Sequence, residues 1–147
     1  MTTHLLAFTA PGPPVAWGRG LISTRGKFAR VITPKRTRIF ETTIGELALA
    51  ALDGKKLCGP LEVTVTFVHH RPASRPAKVP AVPWKLGTMV AKVTRPDIDN
   101  LVKGVLDGMR TIFHDDAQVV ALHAYDRYAA KDMEPAVHVT IDAAPWA

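Results

Sequence analysis

The stretch from Arg95 to Arg110 leaves this chain little conformational freedom. Pro96 disfavours a helical backbone at Arg95, so a helix can begin only beyond it. From there Ile98, Leu101, Val102, Val105, Leu106 and Met109 recur at three- and four-residue spacing. That is the apolar stripe of one amphipathic helix, running from about Ile98 to Arg110. Asp97 stands at its N-cap, where a carboxylate accepts a hydrogen bond from an unpaired backbone N–H. Asp99, Lys103 and Asp107 follow one another at four-residue intervals on the opposite side. Burying the stripe therefore aims the charged row at solvent, so the fold and any chemistry are set by one act of packing. Gly104 within the helix costs ~1 kcal/mol against alanine and leaves room for another backbone or for DNA.

The remaining elements can be placed around that helix. His4 to Ala10 reads as a first strand, stopped by Pro11-Gly12-Pro13-Pro14. In the basic stretch from Arg19 to Arg38, Phe28, Val31 and Ile32 suit a short strand. Pro34 precedes a helical pattern of Ile39, Phe40, Thr43, Ile44, Leu47, Ala48 and Ala51, ending near Asp53-Gly54. Leu61 to His69 alternates apolar with polar residues and is the clearest strand. Residues 71–92, with Pro72, Pro76, Pro80 and Pro83, read as a long irregular loop. Gln118 to Tyr128 and Ala136 to Asp142 read as two closing strands, an antiparallel pair joined through Lys131-Asp132. The expected fold class is α+β (α/β-like): a small mixed sheet with two helices packed on one face. At 147 residues, a single domain spanning 1–147 is the expectation.

Composition removes several function classes. Cys58 is the only cysteine, which excludes intramolecular disulfides and thiolate zinc sites and suits a cytosolic protein. No apolar run approaches the ~18–20 residues of a membrane helix. His4-Leu5-Leu6-Ala7-Phe8 is apolar but short, without a basic leader or cleavage site, so a signal peptide is not expected. The net charge of +6 points to a polyanionic partner, nucleic acid first and an acidic membrane surface second. Arg19, Arg25, Lys27, Arg30, Lys35, Arg36 and Arg38 sit together without an acidic residue among them. Such a segment suits phosphate binding with counterion release, against the plainer reading of a solvated loop. Trp17, Trp84 and Phe28 are candidates for stacking on opened bases, or else small packing anchors. His69-His70 and His114 lack acids or cysteines at ligand spacing and read as strand-end and turn positions; His114 stands where it could tune Asp115.

The helix alone needs nothing but structural reasons for its acids, because a capping Asp and an Asp–Lys pair are ordinary stabilisers worth ~0.3–1 kcal/mol each. Asp115-Asp116 shifts the balance. Phe113-His114-Asp115-Asp116 turns the chain back after the helix, and no cap needs two adjacent acids. If either reaches the helix start, three carboxylates converge, and these repel unless a cation lies between them. Oxygen-only ligands favour Mg²⁺ or Mn²⁺. A metal there would activate water and stabilise the leaving oxygen of a phosphodiester, with Lys103 neutralising phosphoryl oxygens.

The run Arg95-Pro96-Asp97-Ile98-Asp99-Asn100-Leu101-Val102-Lys103, then Leu106-Asp107, then Asp115-Asp116-Ala117-Gln118-Val119-Val120, resembles the RusA family of Holliday-junction resolvases of bacteria and their phages. The resemblance covers about a sixth of the chain. It implies a cytoplasmic, homodimeric, Mg²⁺-dependent (or Mn²⁺-dependent) endonuclease. Such an enzyme nicks two strands of a four-way junction symmetrically, in DNA recombination and repair. By position it makes Asp97, Asp99 and Asp116 the metal-binding carboxylates and Lys103 the catalytic lysine, with Asp107 and Asp115 in support. The long 71–92 segment and the unusually basic Arg19–Arg38 stretch depart from the compact members. Two other readings stay open: a DNA-binding module whose acids only cap a helix, and a metal-dependent phosphohydrolase of free nucleotides. The second lacks a Walker-type loop.

Overall fold

The computed structural model describes residues 3–18 and 20–147. Among them the elements are β1 (Thr3–Pro11), β2 (Leu21–Ser23), β3 (Arg30–Ile32), α1 (Lys35–Ala51), β4 (Leu61–His69), α2 (Ala81–Lys85), β5 (Val90–Ala91), α3 (Ile98–Gly108), β6 (Val119–Tyr128) and β7 (Ala136–Ala143). Two single-turn 3-10 helices, Arg110–Ile112 and Asp116–Gln118, lie between α3 and β6. The main sheet is mixed, in the order β1-β7-β4-β6-β5, and β2 with β3 forms a separate two-stranded ribbon. This is the expected α+β fold, with α1 and α3 on one sheet face.

Alternation along β4 explains that face. Leu61, Val63, Val65 and Phe67 are fully buried, while Glu62, Thr64 and Thr66 between them are half-buried. β7 repeats the pattern with Val137, Val139 and Ile141. Period-two burial puts both sets on the side covered by helices. The core there joins Phe40, Ile44 and Ala48 of α1 to Leu101, Val102 and Val105 of α3, with Met109 just beyond it. Ile98 departs from the expected stripe and remains exposed, one turn before the buried part begins.

The two helices cross closely because glycines face each other. A Cβ on Gly108 would lie 2.9 Å from the Ile44 Cβ and 3.0 Å from the Glu41 carbonyl oxygen. One on Gly45 would lie 2.9 Å from the Gly108 carbonyl. Gly104 admits the Val15 backbone rather than DNA, its missing Cβ standing 3.4 Å from that carbonyl.

Two expectations are corrected. β6 and β7 are not a hairpin pair: β4 lies between them, antiparallel to β7 and parallel to β6. Alternation fixes which face of a strand is buried but not its neighbours, and the connection from Ala129 to Pro135 is long enough to pass over β4. Nor is 71–92 irregular throughout. It contains α2 and β5, and Val79, Val90 and Tyr128 form a small second core with Trp84 against it. The Arg71 guanidinium stacks 3.8 Å from the Trp84 ring and donates to the carbonyls of Trp84, Thr88 and Ala129. One residue therefore organises what the prolines left open, and Trp84 is a packing anchor.

Replacing Gly108 with alanine should destabilise the fold by about 2 kcal/mol, because overpacking at the crossing exceeds the gain in helix propensity. Urea unfolding of Gly108→Ala against the parent chain measures this.

Candidate metal centre

α3 carries the acidic row where the burial of its other face directs it. Asp97 has the extended backbone of an N-cap, yet its side chain makes no capping hydrogen bond. Its carboxylate lies 4.0 Å from the Arg95 guanidinium and is 57% exposed. Lys103 reaches to 3.8 Å from Asp107 and lies 4.7 Å above the Trp17 ring. Trp17 is itself held by its backbone N–H donating to the Asn100 carbonyl.

The turn after α3 separates the two adjacent acids. Asp115 accepts a hydrogen bond from the Ala117 N–H and forms a capping box with Gln118. It has the structural task. Asp116 does not: it is 69% exposed, 3.9 Å from the Arg110 guanidinium. Gln118 fixes the turn. Its amide oxygen accepts from the His114 and Asp115 N–H groups, and its amide nitrogen donates to the Leu57 and Gly59 carbonyls. His114 faces Cys58, with 3.7 Å from Nε2 to Sγ.

These two pieces meet. Asp99, Lys103, Asp107 and Asp116 line one cavity of about 300 Å³, floored by Val102, Leu106, Phe113 and Val119. Asp97 opens instead onto a neighbouring cavity with Arg95 and Lys92. Of the three carboxylates expected to converge, Asp99 and Asp116 share a cavity and Asp97 stands beside it. Among the described residues, no three His, Cys, Asp or Glu side chains stand at metal-ligating distance. The donor chemistry still fits a hard divalent cation. Mg²⁺ keeps several waters and is held through one or two carboxylates plus substrate phosphates, and Asp97 and Asp116 are exposed with only guanidinium contacts near 4 Å.

Charge near the cavity is compensated by residues the sequence reading passed over. Arg110 donates to Asp107 at 2.9 Å and approaches Asp116 from the same guanidinium. Glu41 of α1 lies in the same field. Burial, then the Asp107 charge, pushes its carboxyl above the usual range, while Arg110 and Lys103 pull it down. An arginine three residues after Asp107 was a legible i,i+3 partner. Glu41 gave no signal, because only the helix crossing brings it near.

Of the basic segment, Arg19 lies outside the described residues. Arg25, Lys27, Arg30, Lys35, Arg36 and Arg38 are all exposed, on the β2–β3 ribbon and the first turn of α1. Phe28, between the ribbon strands, is 74% exposed. His69 stands at the end of β4, as expected, and is paired there: its Nε2 lies 2.5 Å from the buried Asp126.

A family profile described as Endodeoxyribonuclease RusA matches residues 11–142. The chain is also 30% identical over 137 residues to a Bacillus subtilis (strain 168) protein named Uncharacterized protein YqaN, covering 92% of this chain and 94% of that one.

Two outcomes are expected from this geometry. Gln118→Ala should cost about 2 kcal/mol in denaturant unfolding, since it leaves several backbone groups without their partner. Glu41→Gln should act with a pH dependence. An acid whose pKa is raised by folding weakens the folded state only above its unfolded value, and fully above the raised one. The variant should therefore melt roughly 1–3 °C higher than the parent chain at about pH 8, with the advantage gone near pH 4.

Proposed function

The chain belongs to the RusA endodeoxyribonuclease family, and on that basis we propose that it is a divalent-metal-dependent endonuclease. In this reading it resolves four-way (Holliday) DNA junctions by paired symmetric nicks, in DNA recombination and repair. The observation that carries the reading is the single cavity lined by Asp99, Asp116, Asp107 and Lys103 in a protein of net charge +6. Carboxylates facing a polyanion are repulsive unless a cation mediates, so acids gathered at one point of a basic protein imply chemistry rather than affinity.

Asp99 and Asp116, with Asp97 from the adjoining loop, would hold Mg²⁺ or Mn²⁺. The ion would supply a Lewis acid for the scissile phosphate and acidify a water for attack. Lys103 would neutralise charge growing on the phosphoryl oxygens. Asp107 orients Lys103 at 3.8 Å. Asp115 acts at one remove by capping the turn that presents Asp116.

Binding falls to the cations of the β2–β3 ribbon and the start of α1. A two-stranded ribbon is narrow enough to enter the major groove, and Phe28 among Arg25, Lys27 and Arg30 offers a ring for stacking. A homodimer is supported by the edge of β6. Among the described residues β5 pairs only with Tyr128 and Arg127, and Val120, Leu122 and Tyr125 along β6 are exposed. Such an edge invites another chain, and paired nicks need two related sites.

Cleavage of a labelled four-way junction tests the reading. Symmetric nicks are expected with Mg²⁺ and none with EDTA. Asp99→Asn and Asp116→Asn should each lower the rate by 10²-fold or more while junction binding stays within a few-fold. Junction binding without metal-dependent nicks would instead favour the non-catalytic module. Replacing Arg25, Lys27 and Arg30 together by alanine should weaken binding and lower the salt slope by about 2–3, read from affinities between 50 and 200 mM salt.

A further inference from the structure

The segment from Lys92 to Asp97 joins β5 to α3 and delivers Asp97 and Asp99 to the centre. Beyond Lys92 it pairs with no strand among the described residues, and two of its successive carbonyls are met by one side chain. The Lys92 ammonium donates to the Thr94 carbonyl at 2.6 Å and to the Arg95 carbonyl at 2.8 Å. Its side chain is only 5% exposed. The counter-charge is Asp126 of β6, itself buried, with Oδ2 3.8 Å from Lys92 Nζ and Oδ1 2.5 Å from His69 Nε2. The Lys92 N–H also donates to the Asp126 carbonyl, and the Thr94 hydroxyl bonds the Tyr128 hydroxyl.

A buried ion pair is a poor source of stability, because desolvating both charges consumes most of what their attraction returns. An apolar pair of the same volume would hold β5 against β6 at least as well. What an apolar pair cannot do is gather two successive carbonyls onto one point directly before a carboxylate. We propose that Lys92 is a positioning residue of the nuclease centre, fixing the Thr94–Arg95 backbone so that Asp97 and Asp99 stand ready for the divalent cation. Asp126, itself held by His69, keeps Lys92 in place. The proposal rests on the nuclease reading for its consequence, though its geometric part stands alone.

Lys92→Met keeps the length of the side chain and removes the donors. In metal-free protein it should raise hydrogen exchange at the Leu101 amide, which donates to the Asp97 carbonyl, by about tenfold or more, while the β4 amides stay protected. The Mg²⁺ concentration for half-maximal cleavage should rise about 10- to 100-fold, as for other partners one step behind a metal. Junction affinity in EDTA should stay within about twofold of the parent's. Lys92→Arg, which can donate to both carbonyls, should recover most of the Mg²⁺ dependence. A Lys92→Met protein with parental exchange at Leu101 and parental Mg²⁺ dependence overturns the proposal. So does a Lys92→Arg protein that regains thermal stability but not metal dependence. If Lys92→Met does not fold, NMR of the parent decides: the Lys92 ammonium protons should exchange slowly with water, and exchange as fast as a surface lysine's overturns the proposal. Failure of the parent to cleave junctions with Mg²⁺ sinks the nuclease reading alone, leaving the exchange result to judge Lys92.

Discussion

Everything about the acidic centre depends on α3 having one rotation about its own axis. Leu101, Val105 and Met109 are fully buried, and the crossing with α1 is close enough that a Cβ at Gly108 or Gly45 would collide. A helix seated this way cannot roll without opening cavities on one side and clashes on the other. The polar row Asp99, Lys103, Asp107 is thereby aimed by apolar residues that never touch it. The electrostatics of the centre are a by-product of core packing, and for that reason they are well defined even though the charged side chains are partly exposed.

The carboxylates divide by what they are already committed to. Asp115 caps a turn and Asp126 is sealed against His69 and Lys92. Asp107 is satisfied by Arg110 and Lys103. Asp97 and Asp116 are left with single distant guanidinium contacts near 4 Å and high exposure, and Asp99 lines the cavity it shares with Asp116 and Lys103. Loosely compensated carboxylates are the arrangement a hard cation would complete.

Much of this was legible in the sequence. α1 and β4 follow from periodicity, and α3 from Pro96 and its stripe, because those signals are local and strong. The likeness to RusA nucleases rested on Arg95–Val120, and the family match extends over residues 11–142. What escaped was non-local. Alternation could not reveal that β4 separates β6 from β7, since two strands with the same buried face are interchangeable by pattern. The 71–92 segment hid its order because one arginine, reaching three carbonyls, organises it. Glu41, Lys92 and Asp126 carried no motif. Each matters through a neighbour distant in the chain, and none was recognisable until the sheet and helices met.

The strand order carries a consequence for how the protein comes into being. β7, the last strand along the described residues, lies between β1 and β4 and bonds to both. A ribosome delivers it after every other strand, so the sheet lacks an interior member until synthesis has passed residue 143. Among the described residues β1 has no other partner in the sheet and must wait for it. A nascent chain that has not yet made Ala136–Ala143 therefore cannot finish its core.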